Sequence, residues 1–271
     1  MNDQIRKRNI REMFDAVSAG YDKHALRFFT YAADHLADRM NLAGNEHLLD
    51  VACGTGTVAL ACARRLPAGR VTGVDLSEGM LERARVKAQE QALPNLSFRC
   101  ADMESMHVDG IAFDAACCGF GIFFLPDMEA AFCTIAELVR PGGAIGISSF
   151  TGAVMEPLSS AFIACIRRYG IEVPPLSWKR LDDAAKHRAL YAAAGIGAVD
   201  TGTEQLGYWL TGFDEWWDIL NFSGYRGLLN QLSADDLARF KQQHRSDIEA
   251  FVTGNGLWLN VPVVLSVGRK P

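Results

Sequence analysis

Three carboxylic acids and two glycines carry the clearest chemistry in this chain. Asp50-Val51-Ala52-Cys53-Gly54-Thr55-Gly56 places an acid just ahead of a glycine turn. With no side chain at 54 or 56, a ligand can lie against the backbone there. Asp75 and Asp102 each follow a further short apolar run. A carboxylate with two acceptor oxygens suits a pair of ribose hydroxyls at Asp75 and an adenine amino group at Asp102, with Leu76 and Met103 sandwiching the base. Blander roles stand beside these: Asp50 could pin the loop through backbone N–H groups, and Asp75 could cap the helix that begins near Ser77.

Two nucleoside ligands compete for this constellation. Gly54-Thr55-Gly56-Thr57-Val58-Ala59 fits the dinucleotide pattern G-x-G-x-x-G/A, and Asp75 falls near the expected ribose-binding distance. Asp50, however, would repel a pyrophosphate, whereas it suits S-adenosylmethionine, which carries an α-amino cation and a sulfonium and no phosphate. No Tyr-x-x-x-Lys pair follows the fourth apolar run, which continues Gly119-Phe120-Gly121-Ile122-Phe123-Phe124. A nicotinamide-dependent oxidoreductase is therefore the rival reading, and a non-catalytic cofactor-binding protein of the same fold is the other. His24, His107 and His187 are bases by residue type, and the sequence assigns none of them a catalytic role.

These residues need a frame that brings the ends of several strands together. Apolar runs at 47–52, 70–75, 96–100, 112–118 and 144–150, bounded by Gly, Pro, Asp or Asn, read as buried strands. Helical spacing at 55–66, 77–92 and 127–139 alternates with them, with Ser77 and Asp127 as N-caps. That alternation predicts right-handed crossovers and an α/β fold, a doubly wound and mainly parallel sheet. Helices at 5–17 and 23–40 form an N-terminal cap. Residues 159–169, 182–194 and 233–251 read as helical, 197–206 as extended and 257–268 as a final long strand. The aromatic-rich block 207–225 reads as a helical insertion before that strand. The expected organisation is a single domain over 1–271: a cap to 45, a cofactor-binding core at 46–150, substrate-side helices and the aromatic insertion at 151–256, and the last strand from 257.

In combination the chain resembles a class I, Rossmann-like methyltransferase, and is most similar to the ubiquinone and menaquinone C-methyltransferases and their small-molecule relatives. The likeness covers roughly 11–150. It rests on 50–56, on Val74-Asp75-Leu76-Ser77-Glu78-Gly79-Met80-Leu81, and on Phe113-Asp114 with Phe120-Gly121 and Leu138-Val139-Arg140-Pro141-Gly142-Gly143. Met13-Phe14-Asp15-Ala16-Val17 with Tyr21-Asp22 adds the N-terminal element. The resemblance implies S-adenosylmethionine as cofactor and S-adenosylhomocysteine as product. It makes Asp50, Ala52, Gly54, Thr55 and Gly56 the methionine-end contacts, and Asp75, Leu76 and Met80 the ribose and adenine contacts. Asp102, Met103 and Gly119 complete that site, and Tyr21 closes over it. Phe123-Phe124 stand where the quinone enzymes have a basic and an amide residue, so the acceptor departs from theirs. Phe120, Tyr208, Trp209, Trp216 and Trp217 are the candidate walls of an acceptor pocket for a small apolar or aromatic metabolite, unless the aromatic block is only the core of its own insertion.

Composition narrows the partners. The 271 residues are 49% apolar and carry a formal charge of −5, enough for a proper core and without a broad basic field for nucleic acid. The basic cluster Arg6, Lys7, Arg8 and Arg11 reads as a solvated helix face. No Asn/Asp-Pro-Pro-Tyr segment points to DNA or protein-amide methylation. Seven cysteines scattered without a C-x-x-C pair read as reduced core residues, neither disulfides nor a metal site. The absence of a signal-like start or a membrane-length apolar run leads to an expected cytoplasmic location, with a homodimer possible in principle.

Overall fold

The computed structural model describes residues 3–106 and 113–271. In chain order the elements are α1 (Asp3–Val17), α2 (Phe28–Arg39), β1 (His47–Val51), α3 (Thr57–Arg65), β2 (Arg70–Asp75), α4 (Glu78–Glu90), β3 (Leu96–Cys100), β4 (Phe113–Gly119), α5 (Met128–Leu138), β5 (Val139–Phe150), α6 (Leu158–Arg167), α7 (Ala184–Ala193), β6 (Val199–Gln205), β7 (Tyr208–Leu210), α8 (Phe213–Asn221), α9 (Arg226–Leu229), α10 (Ala234–Glu249), β8 (Val252–Thr253), β9 (Gly256–Leu259) and β10 (Pro262–Arg269). Short 3₁₀ turns lie at Ser18–Gly20, His24–Leu26, Ile122–Phe124 and Ser177–Leu181. The two helix caps read from sequence form: Ser77 Oγ accepts from Met80 N at 3.1 Å and Asp127 Oδ1 from Ala130 N at 2.9 Å.

Seven strands make one sheet in the order β3-β2-β1-β4-β5-β10-β6. β1 pairs in parallel with β2 and β4, β2 with β3, and β4 with β5, while β10 runs antiparallel to β5. Helices must cover both faces of such a sheet, which explains why β1 and β4 are buried along nearly their whole length. The chain winds from β1 outward through β2 to β3, then returns to place β4 on the other side of β1. That reversal opens a crevice at the carboxyl ends of β1 and β4.

The chain divides into two compact units. The sheet unit comprises 29–152, 177–204 and 263–271. Its core joins Leu49, Val51, Ala116, Ile145 and Ile147 from the strands to Phe132, Ile135 and Tyr191 from the helices. The second unit comprises 1–28, 153–176 and 205–262. It holds α1, α6, α8, α9, α10 and a small antiparallel sheet in the order β7-β9-β8. Its core is aromatic, with Phe162, Trp216 and Phe240 all fully buried.

Three stretches differ from their reading in sequence. The run 257–268 is two strands in two sheets, parted at Asn260 and Val261; Pro262, without an N–H, opens β10. The 23–40 stretch is a 3₁₀ turn followed by α2, because Lys23 is extended with ψ 149°. The aromatic block begins with a strand, β7, whose Trp209 pairs with Trp258 of β9. Among the described residues no helix is long and apolar enough to cross a membrane.

Candidate functional site

At the carboxyl end of β1 the backbone enters the left-handed region three times in five residues, at Ala52 (φ 54°), Gly54 (φ 54°) and Gly56 (φ 77°). Glycine adopts this freely, whereas Ala52 is strained there, and such strain gathers where a ligand site fixes the chain. The two glycines serve different ends. A Cβ on Gly56 would crowd Ala84 at 3.0 Å and the Phe98 ring at 3.1 Å, so Gly56 lets α3 and α4 pack. A Cβ on Gly54 would meet nothing within 4 Å, so the loop presents open space there. Thr55, by contrast, is buried, and its Oγ1 takes a hydrogen bond from Lys87 Nζ at 3.2 Å.

The acids sit at different depths. Asp75 accepts from Gly54 N through Oδ2 at 2.8 Å and from Ser77 N through Oδ1 at 2.9 Å. Asp75, not Asp50, therefore pins the glycine loop, and it holds the residue ahead of α4 while Ser77 itself caps that helix. Asp50 is wholly buried within β1, opposite Gly73 and Cys117. Its Oδ1 accepts from the Cys117 thiol at 3.4 Å and its Oδ2 has no hydrogen-bond partner. Burial, with a smaller push from the Asp75 charge and against the Cys117 hydrogen bond, raises its pKa to about 7. Asp102 folds its own turn, accepting from Glu104 N at 2.9 Å, and Ala101 N donates to Asp75 O, which brings the ends of β2 and β3 together. Met103 packs on the sheet core, Leu76 is half-buried beside Asp75, and the Met80 side chain is buried inside α4. An open glycine edge, an anchored carboxylate and a buried acid with one unpaired oxygen fit a cofactor with ribose hydroxyls and a cationic end.

The loop after β4 closes the other side of the crevice. A Cβ on Gly121 would stand 2.6 Å from Ala52 Cβ, and one on Gly119 would stand 2.9 Å from Val58 Cγ2, so this loop abuts the glycine loop. Phe120 is held at φ 55° and stacks on Phe150 at 4.4 Å, with Phe29 at 5.4 Å and Trp178 beyond Phe150 at 6.4 Å. Phe29, Phe150 and Trp178 escaped the sequence reading because they lie on three separate segments. Their only signal was their aromatic type.

The remaining candidates lie in the other unit. Tyr21 packs edge-on to Phe14. The Arg27 guanidinium sits over the Tyr208 ring at 3.5 Å while Tyr208 Oη donates to Ala25 O. Trp209 is exposed and packs on Trp258, Trp217 stacks on Phe213, and Trp216 is a fully buried core residue donating to His244 Nε2 at 2.9 Å. Of the histidines, His24 is exposed in a 3₁₀ turn, His107 lies outside the described residues, and His187 is buried between Ser149 Oγ and Ser266 Oγ, each at 2.6 Å. His187 thus acts as a structural bridge, and burial lowers its pKa to about 4.

A family model for a methyltransferase domain matches residues 48–143. The aklanonic acid methyltransferase DauC of Streptomyces sp. (strain C5) is 30% identical over 182 residues, 66% of this chain and 83% of that protein. The ubiquinone/menaquinone biosynthesis C-methyltransferase UbiE of Syntrophotalea carbinolica is 30% identical over 196 residues, 70% and 80% of the two chains. The fold matches Haemonchus contortus phosphoethanolamine N-methyltransferase 2 in complex with S-adenosyl-L-methionine at a TM-score of 0.54 and 16% identity, covering 89% of this chain and 52% of that one. The sheet, its crevice and these likenesses agree, and the chain belongs to the S-adenosylmethionine-dependent methyltransferases that act on small molecules.

Proposed function

We propose that the methyl acceptor is an apolar or aromatic metabolite, and that Gly54, Asp75, Leu76, Asp102 and Met103 hold the nucleoside end of the cofactor. One observation carries the acceptor reading: the segment after β4 that abuts the glycine loop, Gly119-Phe120-Gly121-Ile122-Phe123-Phe124-Leu125, offers no ionisable side chain. When bound, S-adenosylmethionine supplies a methyl group activated by its sulfonium. The chain's own part is then to align the nucleophile in line with that group and exclude water, which rings and aliphatic side chains do well. An amine or phenolate acceptor needs no base once desolvated, which fits a wall without one. Ionised, Asp50 would favour the cationic end of the cofactor.

Calorimetry with S-adenosylmethionine, S-adenosylhomocysteine and NAD, followed by a panel of metabolites assayed for S-adenosylhomocysteine release, tests this directly. Binding of the sulfonium pair well ahead of NAD, with turnover confined to apolar and aromatic acceptors, is expected. Turnover confined to charged, non-aromatic acceptors would overturn the acceptor reading.

A further inference from the structure

Four half-buried or buried rings gather at the carboxyl edge of β4 and β5, where Phe29, Phe120 and Phe150 touch one another and Trp178 touches Phe150. Phe120 and Phe150 lie nearly parallel, at 28°, whereas Trp178 stands at 79° to Phe150 with the Lys179 ammonium 5.7 Å from its ring centre. Two faces at a right angle make a corner in which a flat ring stacks on one and meets the other edge to face, the two favoured aromatic geometries. A puckered ring of equal size satisfies neither.

The three residues that follow Trp178 are each anchored. Arg180 spans the loop after β4, with Nη1 donating to Leu125 O at 2.5 Å and Nη2 to Pro126 O at 2.9 Å. Ser149 Oγ of β5 donates to Leu181 O at 2.5 Å, and Lys186 Nζ donates to Lys179 O at 2.8 Å. Charge-assisted bonds of this kind are the stronger ones, and a planar guanidinium bridging two carbonyls fixes orientation as well as distance. The Ser177–Leu181 turn is thereby tied to the same loop that abuts the glycine loop, so the ring cluster adjoins the cofactor crevice.

We infer that Trp178 is a specificity-determining residue that selects planar aromatic acceptors over aliphatic ones, an inference that rests on the acceptor reading above and narrows it. The test titrates the full chain, with and without S-adenosylhomocysteine, with naphthol and with its saturated counterpart decahydronaphthol. Naphthol should bind at least ten-fold more tightly than decahydronaphthol. Trp178→Ala should erase that preference, Trp178→Phe should restore part of it, and both variants should bind S-adenosylhomocysteine within two-fold of the parent and keep its melting temperature within a few degrees. A parent without the preference, or a Trp178→Ala variant that keeps it, overturns the assignment. Failure of S-adenosylhomocysteine to bind at all strikes the cofactor site instead and leaves the naphthol comparison to stand on its own.

Discussion

A carboxyl group taken fully out of water favours its protonated form, and Asp50 is the residue where that matters most. Its burial raises the pKa from 3.8 to about 7, so the folded chain holds a proton that the unfolded chain has released. The stabilisation is complete below pH 3.8 and is lost as pH climbs through about 7. Asp50→Asn keeps an oxygen for the Cys117 thiol and cannot ionise. Relative to the parent, this variant should therefore gain about 4 kcal/mol of stability between pH 4 and pH 8, read from urea unfolding at a series of pH values. A difference that does not vary with pH would mean that the carboxyl ionises in place.

The elements around the crevice were legible in sequence wherever one periodicity ruled a segment. β1 to β4 and α3 to α5 fall within a few residues of their expected positions, although β3, read as a buried strand, is an edge strand with none of its residues buried. Legibility ended where two elements share one pattern: alternation runs on through Leu257-Trp258-Leu259-Asn260-Val261-Pro262-Val263 although the chain changes sheets there. The site divides the same way. Glycines and acids on one loop could be read together, whereas Trp178 and Arg180 join the β4 loop only through tertiary contacts. The glycine loop itself yields a paired prediction. Gly54→Ala adds a methyl group in open space at φ 54° and should cost about 1 kcal/mol of stability while, on the proposal that Gly54 holds the cofactor, weakening cofactor binding far more. Gly121→Ala drives a Cβ to 2.6 Å from Ala52 and should instead cost about 1–3 kcal/mol of stability, with cofactor loss following from the displaced loop. Thermal melts beside calorimetric titrations of both variants would show whether the two glycines separate in this way.

At the scale of the whole molecule, and among the described residues, each compact unit contains one buried neutral histidine. His187 bridges β5 and β10 in the sheet unit, and His244 accepts the Trp216 indole N–H in the other. Burial lowers both pKa values from 6.5 to about 4. Folding therefore disfavours protons that the unfolded chain binds at these two sites and at His47, whose pKa burial also lowers, and stability present above pH 6.5 is lost as pH falls towards 4. Asp50 acts in the opposite sense over nearly the same window, so the parent curve alone would show only the difference of the two effects. Carboxylates held low by partners, such as Asp114 with the His47 backbone N–H and Arg140, act in the same direction as the histidines but at lower pH. Single variants resolve the sum. His244→Gln retains an acceptor for Trp216 and cannot take the excluded proton, so it should lose about 3 kcal/mol less than the parent between pH 6.5 and pH 4. His187→Gln should relieve the sheet unit by a similar amount. Urea unfolding of the parent and both variants across that range measures each share, and a His244→Gln curve parallel to the parent would show that His244 is protonated without leaving the fold.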